Sequence, residues 1–183
     1  MDKFDSQRRK LLLLGGATAG LVLLPGLAEA SVSSSRPRIL TLNNLNTGES
    51  LKTEFFNGTS YNKSELARLN HFFRDYRANQ VRSIDPRLFD QLYRLQVMLG
   101  TRKPVQLISG YRSPATNNRL RAHSSGVAKH SYHTLGQAMD FHIEGVQLSN
   151  IRAAALKMRA GGVGYYPKSD FVHIDTGPVR HWS

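Results

Sequence analysis

Seven histidines occur in 183 residues, and five of them fall between Ala122 and Ile174: His123, His130, His133, His142 and His173. His71 and His181 stand apart. The chain has no cysteine. That excludes a disulfide framework, a thiol nucleophile, a thiolate metal site and an acylated-cysteine anchor. A metal here must take histidine nitrogen and carboxylate oxygen. A catalytic zinc centre uses three such ligands and keeps one position open for water. The segment Ser131-Tyr132-His133-Thr134-Leu135-Gly136-Gln137-Ala138-Met139-Asp140 puts a histidine in a loop and an aspartate on the strand that follows. Gly136 lets the chain turn sharply between them, so nitrogen and oxygen can meet at one ion. In Phe171-Val172-His173-Ile174-Asp175, period-two alternation places His173 and Asp175 on one face. Neighbouring strands lie ~4.8 Å apart, within reach of the same ion. His142, two residues past Asp140 on its face, is an alternative third ligand or a supporting partner.

The pattern Ser-x-His-x-x-Gly-x-Ala-x-Asp, followed by a histidine on a later strand, resembles that of the LAS metallopeptidases. That group includes lysostaphin-type peptidases, D-alanyl-D-alanine peptidases and the hedgehog signalling domain. All five fixed positions are present: Ser131, His133, Gly136, Ala138 and Asp140. Upstream, Ser109-Gly110-Tyr111-Arg112-Ser113 is similar to an element of the D-alanyl-D-alanine carboxypeptidase-like members. The resemblance spans about residues 38–178 and looks nearest to the periplasmic murein endopeptidases.

The resemblance implies a Zn²⁺ site of His133, Asp140 and His173, which favours His173 over His142. It implies that Arg112 contacts the substrate near the scissile bond, steadying an oxyanion or clamping a carboxylate in a bidentate contact. It also implies that a residue just before the last ligand activates water. There the chain departs from the D-Ala-D-Ala dipeptidase pattern, Glu-x-x-His, because Asp170-Phe171-Val172-His173 carries the shorter acid. Asp175 is a second candidate for that role. Zinc would bring the pKa of water to about 7, and the carboxylate would pass its proton to the leaving amine. The implied activity is that of a zinc-dependent murein endopeptidase hydrolysing the D-Ala–mDAP or mDAP–mDAP cross-links of peptidoglycan (mDAP is meso-diaminopimelate). A D-Ala-D-Ala-type carboxypeptidase and a non-catalytic, zinc-containing wall-binding domain are the alternatives. A serine-hydrolase reading of Ser109 or Ser131 fails for want of a Gly-x-Ser-x-Gly elbow.

Several elements must position these groups. Arg38 to Leu45 and Ser50 to Phe56 read as strands joined by the turn Asn46-Thr47-Gly48-Glu49. Ser64 is placed to cap a helix of Glu65 to Arg77, with Leu66, Leu69, Phe72 and Phe73 on one face. Asp85-Pro86 opens a second helix striped by Leu88, Leu92, Leu95 and Leu99 and ended by Gly100. Val105 to Ser109 is a strand, Thr116 to Ala122 a short helix, and Gln137 to Ile143 a strand. Asn150 to Ala160 is an Ala-rich helix, followed by short strands at Val163 to Tyr166 and Phe171 to Asp175. The predicted class is α+β, a small, mainly antiparallel sheet carrying the zinc site and flanked by helices. Residues 38–183 read as a single zinc peptidase domain, expected to be a monomer.

Ahead of it, Arg8, Arg9 and Lys10 precede an apolar run from Leu11 to Leu24, then Pro25-Gly26 and Ala28-Glu29-Ala30. Residues 1–30 therefore read as a cleaved signal peptide, and the paired arginines resemble a twin-arginine export signal. The run is shorter than the ~20 residues that span a bilayer, so no transmembrane anchor is expected. Residues 31–37 read as a flexible lead-in. The net charge is +12, and it remains +11 without residues 1–30, which hold four basic and three acidic side chains. On an exported, periplasmic domain such a charge suits anionic cell wall rather than nucleic acid.

Overall fold

The computed structural model describes residues 36–124 and 126–183. The signal-peptide segment and residues 31–35 of the lead-in lie outside the described residues. Strands β1 (Arg38–Asn44) and β2 (Ser50–Phe56) form the expected antiparallel hairpin, with Leu40 and Leu42 of β1 buried. Next in space come β3 (Val105–Ser109), β4 (Ala138–Ile143), β6 (Phe171–Asp175), β5 (Gly162–Tyr166) and β7 (Arg180–Trp182). All pairings are antiparallel except β1 with β3 and β5 with β7. The α+β class and the mainly antiparallel sheet are thus borne out. β7 is an addition, because three residues at the C-terminus show no periodicity to read.

Four helices flank this sheet: α1 (Lys63–Phe72), α2 (Pro86–Met98), α3 (Pro114–His123) and α4 (Leu148–Met158). α2 begins as its sequence requires, with Asp85 accepting from Arg87 N–H and Pro86 in the first turn. It buries Leu88, Phe89, Leu92 and Leu95 completely. Those side chains meet Phe55, Phe73, Leu107 and Phe141 in one continuous core. α4 adds Ile151 and Ala155, so both helices hold the sheet that carries the chemistry.

α1 differs from the expectation at both ends. Asn62, not Ser64, is its cap, and the Asn62 side-chain oxygen accepts from the N–H groups of Ser64 and Glu65. The helix stops at Phe72 rather than at Arg77, because Asp75 captures the chain. Its carboxylate is buried and accepts from Arg77 N–H at 3.1 Å and Ala78 N–H at 3.4 Å. Its other oxygen accepts from Ser113 N–H at 2.9 Å. Burial works to raise the Asp75 pKa, but donors from Thr116 and Ser113 outweigh it and hold the group below its ordinary value.

Asp75→Ala would leave buried N–H groups without an acceptor, and we expect a loss of about 2 kcal/mol, read as a lower thermal midpoint. The sign follows from the depressed pKa. The contribution is full above the unfolded pKa of about 3.9 and fades as pH falls below it. The difference between wild type and variant should therefore narrow in acid.

Candidate metal centre and cleft

The Gly110–Ser113 loop, the Ser131–Gly136 turn and two paired strands build the site. At the loop, Gly110 crosses the backbone of Phe73 so closely that a Cβ there would stand 2.5 Å from the Phe73 carbonyl oxygen. Tyr111 N–H donates to that same carbonyl at 2.8 Å. Ser113 caps α3 through Thr116 N–H. The Ser-Gly-Tyr-Arg-Ser element is therefore a braced corner that leaves Arg112 beside the centre. The second corner is a 3₁₀ turn, Tyr132–Leu135. Ser131 accepts from His133 N–H at its start, and Gly136 closes it at φ +70°, a conformation that side chains disfavour. Strand pairing then sets Asp140 directly opposite His173.

These elements bring His133, Asp140 and His173 together, all buried. His133 Nε2 lies 3.2 Å from Asp140 Oδ1 and 3.2 Å from His173 Nδ1, and His173 Nδ1 lies 2.8 Å from the same oxygen. The far nitrogens are committed elsewhere. His133 Nδ1 lies 2.7 Å from the Gly110 carbonyl oxygen, to which it can only donate. His173 Nε2 lies 3.1 Å from Asp175 Oδ2 and takes the same role. In its neutral form each imidazole would thus turn a lone pair towards the other and towards a carboxylate oxygen. Three acceptors converging in a buried space fit a cation. Tetrahedral zinc with these ligands would hold them about 3.3 Å apart. The donor set and its outer hydrogen bonds match zinc.

The charges of His133 and Asp140 agree with that reading, whereas His173 is pushed towards its protonated form. Burial pushes His133 towards its neutral form. Burial also opposes ionisation of Asp140, but the adjacent His133 and His173 outweigh it and hold the carboxyl far below the usual range. His173 feels a burial penalty, which the carboxylates on either side of it reverse. Arg112 is driven down by burial and supported by Asp140, whose Oδ2 lies 3.5 Å from its guanidinium. Its buried Nε has no partner.

The two acidic candidates part company. Asp175 is fully buried and accepts from Gly162 N–H, Gly177 N–H and both terminal nitrogens of Arg180, besides facing His173. It therefore stands behind a ligand rather than in front of the centre. Asp170, at φ +51°, is exposed; its carboxylate lies 3.5 Å from His142 Nδ1. His142 itself lies against the Asp170 carbonyl oxygen at 3.1 Å and outside the three-residue cluster. An open cleft of about 380 Å³ leads to the centre, and Ser169 and Phe171 line it on either side of Asp170 in sequence. Arg180, Trp182 and Tyr166 also line this cleft. Sequence reasoning missed Arg180 and Trp182, which sit on β7, an element with no signal. Tyr166 reads from the sequence as cleft wall or core alike, and the structure puts it in the cleft.

The Peptidase_M15_2 family, described as Peptidoglycan L,D-endopeptidase MepK, matches residues 32–182. Peptidoglycan L,D-endopeptidase MepK of Escherichia coli strain K12 is 75% identical over 182 residues, covering 100% of both chains. A relative of the same name in Shigella flexneri is also 75% identical over the full length. The probable peptidoglycan L,D-endopeptidase MepK of Haemophilus influenzae is 48% identical, covering 100% of this chain and 98% of its own.

Asp175→Asn removes the charge that fixes the His173 tautomer. We expect zinc affinity to fall about 10- to 100-fold, measured by competition with a chromophoric chelator. Unchanged affinity would show that Gly162, Gly177 and Arg180, not His173, are the reason for that acid.

Proposed function

The chain belongs to the Peptidase_M15_2 family, a LAS-type peptidase family, and on that footing we propose that it is a zinc-dependent peptidoglycan endopeptidase cutting mDAP–mDAP cross-links. The observation that carries the zinc is the convergence of the His133, Asp140 and His173 acceptors, with both far imidazole nitrogens occupied. The relatives' name supports the bond. An L,D-endopeptidase cuts from an L-configured carbonyl to a D-configured amine. D-Ala–mDAP joins two D centres, whereas mDAP–mDAP runs from the L centre of one residue to the D centre of the next. That argues against the D-Ala–mDAP bond and against the D-Ala–D-Ala bond of a carboxypeptidase, both of which join two D centres.

A zinc ion held by these residues would supply Lewis acidity, acidifying water and polarising the scissile carbonyl. The protein's own groups do the remainder. His133 and His173 present lone pairs whose direction is fixed by Gly110 and Asp175. Arg112, desolvated and with an unpartnered Nε, offers its N–H groups to the developing oxyanion or to a substrate carboxylate. Asp170 serves as proton acceptor and returns the proton to the leaving amine. It is held only by a loose, exposed contact with His142, and rotation of its side chain costs little. The residues before and after it line the cleft. Among the described residues no helix is long and apolar enough to cross a membrane. The relatives' peptidoglycan substrate, the twin-arginine-type segment and the charge of +11 support a site of action in the periplasm, on the wall.

The reading is tested by mass analysis of sacculi incubated with the protein. Release of mDAP–mDAP dimers into monomers, stopped by a chelator and restored by zinc, is the expected result. Intact dimers with zinc present would overturn it. Asp170→Asn should lower kcat by about 100-fold or more while zinc content stays at the wild-type level. A variant with full activity would remove Asp170 from the reaction.

A further inference from the structure

One wall of the cleft is unused by the chemistry above. β5 and β7 run parallel with Gly164 opposite Trp182, and a Cβ on Gly164 would come within 2.7 Å of the indole. Trp182 therefore lies flat on the strand backbone. Its Nε1–H donates to the Tyr166 hydroxyl oxygen at 2.7 Å. Tyr166 stacks on Phe171, with centroids 4.4 Å apart and an interplanar angle of 23°. The indole tilts against the His173 ring at 5.2 Å, which brings the wall up to the metal centre. Arg180 braces it: the guanidinium lies 5.1 Å from the indole centroid and 4.8 Å from that of Tyr132, and Asp175 holds it at 2.6 Å. Three aromatic rings thus form a continuous surface fixed in advance of any ligand, and all three line the cleft with Arg112.

We propose that the Trp182–Tyr166–Phe171 wall is a specificity-determining surface that seats the polymethylene stem of a diaminopimelate residue. The inference deepens the endopeptidase reading above and rests on it. Diaminopimelate joins two charged centres through three methylenes. The wall offers flat apolar area to that middle part, while Arg112 serves a carboxylate end. Each methylene buried is worth about fourfold in affinity. The wall meets the residue that supplies the scissile carbonyl; a D-Ala residue in that position has only a methyl group to place there, so the wall distinguishes the two kinds of cross-link by stem length.

The test is steady-state hydrolysis of purified mDAP–mDAP muropeptide dimers. Trp182→Ala should raise KM about tenfold or more and leave kcat within about twofold, with zinc content unchanged. Gly164→Ala, which displaces the indole without deleting it, should act in the same direction. Trp182→Phe and Tyr166→Phe keep the rings and should hold KM within about threefold of wild type. A KM unmoved by Trp182→Ala would overturn the proposal. So would lost zinc in that variant, which would make the indole a brace for His173, or a lowered kcat in Tyr166→Phe, which would make the hydroxyl a reacting group. Trp182 is the chain's single tryptophan, so its fluorescence serves even if the Ala variant fails to fold. The stem tripeptide ending in mDAP should change that emission saturably. The same tripeptide with Ala in third place should require about tenfold more. Equal responses, or none, would overturn the proposal. Failure of the wild type to cut any dimer would instead remove the endopeptidase reading itself.

Discussion

Three acceptor groups converge at the inner end of an open cleft, and the fold is arranged to keep them there. Between neutral imidazoles, His133 Nε2, His173 Nδ1 and Asp140 Oδ1 would repel one another at 2.8 to 3.2 Å. A bound cation relieves that repulsion, as does a proton on His173, which its flanking carboxylates favour. Turning of the rings does not relieve it. The Gly110 carbonyl fixes His133 from behind, and Asp175 fixes His173. The two devices differ in kind. One is a neutral carbonyl from a braced loop; the other is a buried charge held by two glycine N–H groups and an arginine. A buried carboxylate needs that many donors to remain ionised. The centre thus owes its geometry to hydrogen bonds one step removed from the ligands.

The same logic reaches back to the helical half of the chain. Asp75 ends α1 by accepting from its own following backbone, and it also accepts from Ser113 N–H. Phe73 accepts from Tyr111 N–H while its ring packs in the core against Phe89. The Gly110–Ser113 loop is therefore fixed between a core aromatic residue and a buried acid. That loop supplies both the acceptor for His133 and the guanidinium of Arg112. A single short segment, residues 73–75, couples core packing to the position of the guanidinium beside Asp140.

Much of this was legible in the chain, and the parts that were not share a cause. The ligand motif could be read because its spacing is local: a turn, a glycine and a strand separate His133 from Asp140. The strand alternation around His173 was equally plain. The position of Asp75 was not, since a helix continued through Arg77 satisfies the same hydrophobic stripe. The competing side-chain hydrogen bonds that end it early carry no periodicity. β7 escaped for a similar reason. Its residues pack on glycines at 162 and 164, and a glycine reads as a breaker until the ring lying on it is seen. His142 was a reasonable alternative ligand by face and spacing. It points at the backbone of Asp170 instead, outside the group of three.

The sequence offers Asp170 first and Asp175 second for one task, and their surroundings differ. A proton acceptor needs an oxygen free to meet water. Asp175 has none, for five donor contacts occupy its two oxygens, and against its burial His173, Arg180 and the Gly162 and Gly177 N–H groups hold it well below the ordinary carboxylate range. An acid that has given up its proton so completely is a poor place to put one back. Its charge is better spent on the far side of His173, where it fixes a direction and sharpens a lone pair. Asp170 has the converse properties: it is exposed, at a left-handed turn, with one contact to release. The same two-residue step along β6 that puts Asp175 behind the ligand puts Phe171 in front of it, beside the apolar wall. Side-chain alternation on one short strand therefore places Phe171, His173 and Asp175 in sequence from the cleft wall to the buried interior, and leaves Asp170 to the turn that precedes them.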